Sequence, residues 1–284
     1  MDVGKKARTK EKAISVGLVI LFSILAILII LPIYAICLSS FKPGGYLLQY
    51  GINLNINLED MNLDNYILLF TGNHEYWSWF FNSIVLTVIT VVATLFISAF
   101  VGYGFAAYDF KGKNVLFIIV LIILSIPLEV VMLPLYKQIA NWGLMDNYAA
   151  IILPFVAHAS TIFFFRQYLL GIPKSLIEAG RIDGSTEYGI FFKLIVPIMK
   201  PAFAAMAILN GMNAWNNYLW PLLVIRSSDK YTLTLGLNTL INPYGDNYSL
   251  LVVGSFFSII PIFILFICFQ KYFIEGMTAG AVKE

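Results

Sequence analysis

The sequence predicts an all-α polytopic membrane protein with six transmembrane helices. Three observations predict it. Of 284 residues, 60% are hydrophobic and only 12% charged, about half the charge share of an ordinary soluble domain. Mean hydropathy is +0.82. Charge-free windows of about 20 residues, the length needed to cross a bilayer, recur along the chain at 13–41, 76–108, 114–136, 147–165, 201–225 and 247–270. Each is apolar on all sides, as a lipid-embedded helix is and an amphipathic surface helix is not.

The opening stretch "MDVGKKARTKEKAISVG" has the basic character of a signal-peptide n-region, but the apolar run after it is too long and lacks a small-residue cleavage site. It is predicted to remain as the first span, behind a short N-terminal segment at 1–12. The loop between the first two windows is long, Asn-rich and aromatic. His74 reads there as a solvated side chain, and Tyr76, Trp77 and Trp79 suit an interfacial belt. Glu129 interrupts the third window between Pro127 and Pro134, and it either lines a vestibule or reaches interfacial water. His158 in the fourth reads as a hydrogen-bonded packing residue, because no second His or Cys stands at metal-ligand spacing. Cys37 and Cys268, in apolar runs and without disulfide or zinc spacing, read as small apolar fillers.

The fifth window contains "NGMNAWNNYLWP", which puts Asn210, Asn213, Trp215, Asn216, Asn217, Tyr218 and Trp220 within about three helical turns. Polar residues at membrane depth are functional candidates. Amides hydrogen-bond sugar hydroxyls and aromatic faces stack on sugar C–H surfaces, so a translocation path is one reading. The other is that the asparagines hold helices together and Pro221 kinks the span.

Orientation follows from Lys and Arg, which favour cytoplasmic loops. With the N-terminus inside, fourteen of the eighteen basic residues fall on the cytoplasmic side, and only Lys42, Lys137, Arg226 and Lys230 fall outside. Both termini, the segment 173–200 and the tail 274–284 are therefore predicted to be cytoplasmic, with 13–273 as the membrane domain. A net charge of +2 without a basic stripe gives no reason to expect a nucleic-acid partner.

The segment 173–200, "PKSLIEAGRIDGSTEYGIFFKLIVPIMK", is the polar exception in this apolar chain. Ser175 and Glu178 have the S-x-x-E spacing of a capping box, which predicts a helix start. Asp183-Gly184 predicts its end, since glycine accepts the left-handed conformation of a C-cap. A second helix then restarts with Asp183 or Ser185 as cap and runs to Pro197. Ile182, Ile190, Phe191, Leu194 and Ile195 are expected to pack inward, leaving Glu178, Arg181, Asp183 and the turn for water or a partner.

The string "EAGRIDGSTEYGIFFKLIVP" resembles the EAA motif of membrane subunits of ABC importers, with Asp183-Gly184 in the middle and Leu194, Val196 and Pro197 closing it. Gly180 stands where alanine is usual, a change expected to loosen the helix by up to about 1 kcal/mol. "GLMDNYAAIILP" (143–154), "WNNYLWPLLV" (215–224), "FNS" (81–83) and "YFIEGMTAGAVKE" (272–284) are similar to the carbohydrate-uptake permeases of this class, so the resemblance covers nearly the whole chain. Within that class it is most similar to the six-span subunit of the maltose-permease G kind.

The resemblance implies a type I ABC importer permease fold with a cytoplasmic coupling helix. It implies pairing with a second permease chain, two ATPase subunits that hold ATP and magnesium, and an outer solute-binding protein delivering a sugar. Glu178, Ala179, Gly180, Arg181, Asp183 and Gly184 would make the ATPase contact, and Gly276, Thr278 and Gly280 in the tail would make a second. No G-x-x-x-x-G-K-[ST] loop occurs in the sequence, so the residues give this chain no phosphate cradle of that kind and the energy is expected from another polypeptide, the chain itself being no enzyme. Import of glycerol-phosphate-type substrates is the alternative within this class. A secondary carrier would leave the polar cassette unexplained. An intramembrane enzyme would need paired carboxylates or a His-metal cluster at membrane depth.

Overall fold

The computed structural model describes residues 2–72, 74–241 and 247–279, and among these residues every regular element is helical. In chain order the α-helices are α1 (Asp2–Ser39), α2 (Gly44–Tyr50), α3 (Asp64–Thr71), α4 (Tyr76–Ala107), α5 (Lys113–Leu124), α6 (Leu128–Asn141), α7 (Tyr148–Ile152), α8 (Ala159–Leu170), α9 (Lys174–Ile182), α10 (Glu187–Ile190), α11 (Val196–Ile198), α12 (Lys200–Trp215), α13 (Leu219–Val224), α14 (Leu233–Thr239) and α15 (Tyr248–Ala279). Among the described residues four stretches are long and apolar enough to cross a membrane: Ile14–Ser39, Tyr76–Ala107, Tyr148–Leu170 and Tyr248–Lys271. Two bent pairs raise the number to six if each pair counts as one span.

The chain divides into two compact units, Met1–Asn73 with Thr239–Phe257, and His74–Asn238 with Ser258–Glu284. In the first, the Asn-rich loop is organised by its amides. Asn65, almost fully buried, donates to the carbonyls of Ser40 and Lys42 at 2.9 and 2.7 Å. The Lys42 ammonium donates to Asn53 Oδ1 at 2.7 Å. Buried groups of this kind stay inside because each is paired.

The second unit is built around α4. Val91, Leu95, Ala99 and Tyr103 of α4 share one core with Phe165 and Leu169 of α8, with Ile190, Phe191 and Ile195 of the hairpin, and with Ala202 and Met206 of α12. A separate core gathers Leu86, Ile139, Ala150, Ile151, Trp220, Val224 and Ile225. Burying a side chain of such size contributes roughly 1.5–3 kcal/mol, so the hairpin is a packed part of this unit.

Three expected spans are not continuous helices, the fourth window passing from α7 through a 3-10 turn at Leu153–Phe155 and an irregular step at 156–158 into α8. The third window breaks at Ser125–Pro127, where α5 and α6 meet at 103°. Pro127 has no amide to offer and adopts an extended backbone (φ −61, ψ 141), while Ser125 and Ile126 close the end of α5 onto Ile122 and Ile123. Pro134, by contrast, is accommodated inside α6. The fifth window ends its first helix at Trp215, and Asn216–Tyr218 unwinds before α13 begins. Irregular backbone at membrane depth is tolerated where it lines a cavity or is buried in protein.

Asp146 ties two connections of the second unit together. Its backbone takes a left-handed conformation (φ 58), and Oδ1 accepts the amides of Arg226 and Ser227, each at 2.9 Å. Oδ2 accepts the Ser227 hydroxyl and the Lys230 ammonium. These donors, the Ser227 hydroxyl first, hold the carboxyl well below the usual carboxylate range. Its folded pKa being depressed, the staple stabilises the fold above the ordinary value of about 3.9 and is lost as pH falls through the lowered folded value. Asp146→Asn is expected to lower the melting temperature at neutral pH. The difference from wild type should shrink on strong acidification, as thermal scans of the purified protein would reveal.

Candidate functional site

Two features carry chemistry: the polar hairpin and a cavity beside the unwound segment. In the hairpin, α9 starts at Lys174 with Pro173 as its N-cap, and no side chain caps it. The expected capping box of Ser175 and Glu178 is not formed. Pro173 is already fixed at φ −58, suited to a helix entrance, so the helix begins before Ser175 can act as cap. Glu178 is an exposed residue of the following turn.

The end of α9 is a Schellman closure. The amide of Ser185 reaches the Gly180 carbonyl and that of Gly184 the Arg181 carbonyl, each at 3.0 Å. Gly184 supplies the left-handed residue at φ +73. The next helix is capped by Thr186, whose side chain accepts from the Gly189 amide at 3.1 Å, rather than by Asp183 or Ser185. Glu187 stands in its first turn. The helix does not run on regularly to Pro197 but passes through a π turn over Phe191–Ile195, which lets both Phe191 and Ile195 face the core.

Gly180 has a role that helix propensity does not reveal. A Cβ there would come within 3.0 Å of Ile190 Cγ1 and Leu194 Cδ1, so glycine lets the two arms close. Ile177 is the inward residue of α9. Ile182, expected to pack inward, is 86% exposed. It shares the exposed surface with Glu178, Ala179, Arg181, Asp183 and Gly184.

Arg181 is not free for a partner alone. Its Nε donates to Glu187 Oε1 at 2.7 Å and its Nη2 to Oε2 at 3.3 Å, and the hydroxyl of Tyr108, just past the end of α4, donates to Glu187 Oε2. The Arg181 guanidinium lies 5.8 Å from the Tyr108 ring centre. This triad braces the hairpin turn against α4. Glu187→Gln is expected to weaken the brace while leaving the buried hairpin core in place. Its signature would be faster amide hydrogen exchange at Gly184 and Ser185, with exchange in α4 unchanged. Exchange equal to wild type would mean that the brace does not hold the turn.

The cavity has a volume of about 420 Å³. Thr87, Thr90 and Thr94 on α4, Glu129 on α6, His158 before α8, and Asn210, Asn213, Asn216, Asn217 and Tyr218 line it. The structure thus gathers six of the seven residues singled out from the sequence as path candidates around one space. Trp215 is the exception: it is buried, stacks edge-on against Phe80 and offers its carbonyl to Thr234. Sequence reasoning missed the three threonines, although their spacing of three and four places them on one face of α4. His158, read as a packing residue, borders the cavity and contacts Ser160 Oγ at 2.7 Å.

The amides differ in what they do. Asn210 exchanges hydrogen bonds with Thr161 on α8 and donates to the Met206 carbonyl, so it joins helices as the packing reading required. Asn217 accepts from the Trp220 amide, and the Tyr218 hydroxyl donates to Asn238. The Trp220 indole donates to the Ala150 carbonyl at 2.8 Å and fixes α13. Asn213 and Asn216 are exposed to the cavity. Of the tail residues, Gly276 and Thr278 lie on the last helix, and Gly280 lies outside the described residues.

Residues 98–279 match the family described as the binding-protein-dependent transport system inner membrane component. The chain belongs to this family. The matched region runs from the last third of α4 through α6, the hairpin, α12 and α13 to α15, so this transport permease carries the hairpin and most of the cavity lining, though not the α4 threonines, inside its family domain. The arabinooligosaccharides transport system permease protein AraQ of Bacillus subtilis is 51% identical over 268 residues, covering 94% of this chain and 95% of that one. The lactose transport system permease protein LacG of Rhizobium radiobacter is 35% identical over 204 residues, covering 72% and 74%. A solved bacterial ABC transporter involved in the import of the acidic polysaccharide alginate matches with a TM-score of 0.80 at 25% identity, over 93% of this chain and 98% of that one. The permease therefore has the type I ABC importer permease fold and is a multi-pass membrane protein.

Proposed function

We propose that this permease is the membrane subunit of an ATP-driven importer that carries an uncharged di- or oligosaccharide, with arabinooligosaccharides as the leading class. The observation that carries the substrate class is the identity of 51%, over almost the full length of both chains, with a permease named for arabinooligosaccharides. The cavity supports an uncharged cargo. Amides, hydroxyls and aromatic groups line it with one carboxylate and one imidazole, and no lysine or arginine is among the lining residues. A glycerol-phosphate-type substrate would call for such a cation to offset its charge.

In this reading the permease pairs with a second, related permease chain, two ATPase subunits and an extracytoplasmic solute-binding protein in the plasma membrane of a prokaryote. ATP and its magnesium ion are held by the ATPases. Helix α9 is the coupling helix, and the exposed Glu178, Ala179, Arg181, Ile182, Asp183 and Gly184 form its contact with one ATPase. An isoleucine left 86% exposed at the tip suits a surface that a partner covers. Gly276, Thr278 and Gly280 make a second contact with the ATPase pair. Asn210, Asn213, Asn216, Asn217, Tyr218 and Glu129 belong to the translocation path. Trp215 supports that path from behind.

The distribution of basic residues puts both termini and the hairpin in the cytoplasm. In intact cells an impermeant thiol reagent should label Asn55→Cys and leave Ser185→Cys unmodified, in a background lacking Cys37 and Cys268. The reverse pattern would overturn the orientation. Function is tested by purifying the assembled complex into proteoliposomes with its binding protein and measuring ATP-dependent uptake of labelled arabinooligosaccharide and of labelled glycerol phosphate. Uptake of the first alone is expected. Uptake of the second alone would replace the sugar reading.

A further inference from the structure

We infer that a second pocket, where Arg166 of α8 meets the turn that leads into α5, binds the phosphodiester head group of an anionic phospholipid. Its assignment to the inner leaflet rests on the orientation proposed above; the pocket itself does not.

Arg166 lies in the last turns of α8, and its backbone is set close against α4. Gly102 makes the approach possible, since a Cβ there would stand 3.0 Å from Phe165 Cβ and 3.1 Å from the Arg166 amide nitrogen. The side chain reaches α5 and places its guanidinium carbon 3.8 Å from the centre of the Phe117 ring. Among the described residues it has no ion pair, and its Nε is buried without a hydrogen-bond partner. A guanidinium keeps its charge in a protein, and its five N–H donors need acceptors that a ring face does not replace. Leaving them unmade is costly once water is excluded.

The pocket has a volume of about 430 Å³, and Asp109, Phe110, Lys113, Asn114 and Val115 line it with Arg166. The Lys113 side chain is 16% exposed and donates to the Tyr108 carbonyl at 2.7 Å and to Asp109 Oδ1 at 3.0 Å. Its third N–H remains for an occupant. Helix α5 opens without a side-chain cap on Gly112, and the amides of Asn114 and Val115 have no partner among the described residues. Two cations stand against one carboxylate, so the lining is balanced by one further negative charge. Phosphate oxygens accept well from such converging charged donors. Asp109 would repel a doubly charged phosphate, while its Oδ2 can accept a head-group hydroxyl. A singly charged phosphodiester with a hydroxylated head meets both conditions.

The surroundings favour lipid over a soluble phosphate. Val115, Ile118, Ile119 and Ile122 are 63%, 53%, 46% and 55% exposed, and their spacing puts them in one stripe that runs along α5 away from the pocket. Acyl chains fit such a stripe, and basic pockets between membrane helices on the cytoplasmic side suit anionic head groups.

The test uses the assembled complex in phosphatidylcholine nanodiscs that contain phosphatidylglycerol with a diazirine near the head of one acyl chain. Both leaflets carry this probe, so the result does not depend on orientation, which thiol labelling in cells reads separately. After irradiation and digestion, crosslinks are expected within 109–119. Unlabelled phosphatidylglycerol should suppress them, whereas phosphatidylethanolamine and inorganic phosphate should not. Arg166→Gln should lower the crosslink yield about tenfold, the loss of one charge-assisted contact, and Arg166→Lys should keep the larger part of it. Lys113→Gln should lower the yield as well and serves if Arg166→Gln does not assemble. Equal yields in wild type and the glutamine variants, or crosslinks confined to other segments, would overturn the pocket as a lipid site. No crosslink at all would do the same and leave the guanidinium for an acidic side chain of a partner chain. Suppression by inorganic phosphate would overturn the lipid as the source of the phosphate, and equal suppression by phosphatidylethanolamine would overturn the choice of an anionic head group.

Discussion

Replacing Gly184 by leucine is expected to abolish sugar uptake while leaving the protein inserted at near-normal levels. Gly184 sits at φ +73 with no atom within 4 Å of where a Cβ would stand, so the surroundings have room for a side chain and the strain lies in the backbone. An L-residue there costs roughly 1–2 kcal/mol. The chain can relieve it only by giving up the two bonds that close α9, from Ser185 to Gly180 and from Gly184 to Arg181. The turn carrying Asp183 would then reopen at the surface proposed to meet the ATPase. Asparagine tolerates the left-handed region far better than leucine, so Gly184→Asn should retain much of the uptake. Copurification of the ATPase and labelled-sugar uptake in both variants decide the matter. Equal uptake by the leucine and asparagine variants would mean that the turn geometry is irrelevant to coupling.

The largest effect on stability is expected at Gly236. A Cβ there would lie 2.1 Å from Trp79 Cδ2 and 2.2 Å from its Cε3, far inside van der Waals contact. The indole is not a flexible end that can step aside. Trp79 is 5% exposed, and its Nε1 donates to the Ser228 carbonyl at 2.8 Å. The neighbouring Leu233 amide is tied to Ser83 Oγ at 2.7 Å. Gly236→Ala must therefore shift α14 or break the indole bond, an overpacking that costs about 1–3 kcal/mol or more. Its melting temperature in detergent should fall by several degrees, a drop that Trp79→Phe in the same chain partly reverses by shrinking the ring system. An unchanged melting temperature for Gly236→Ala would show that α14 is loosely held.

Much of the candidate site was legible because its residue types are out of place. Amides in an apolar window and a Glu between prolines stand out in a chain with 12% charge, and Glu129, Asn213 and Asn216 do border the cavity. Threonine is common enough in apolar helices that Thr87, Thr90 and Thr94 carried no such signal. Trp215 misled for the opposite reason: the same residue type serves a sugar face or a core, and here it packs on Phe80. In the hairpin, Asp183-Gly184 predicted its turn because positive φ is a property of one residue. The cap did not follow its motif, since Ser175 competes with a proline that starts the helix earlier.

The sequence by itself determined the helical membrane class, because the demand for about 20 apolar residues that satisfy their own backbone is local and needs no neighbour. It also determined the Gly184 turn. Only the tertiary structure decided where the spans break and what the polar residues touch. The bend between α5 and α6 and the unwound Asn216–Tyr218 leave backbone groups unpaired within their own helix, and what holds α13 after the break is a bond from Trp220 to Ala150, seventy residues away in the chain. Likewise Glu187 is bonded by Tyr108, seventy-nine residues away in the chain. Pairings across such separations depend on how whole helices pack, and no window of sequence contains both partners.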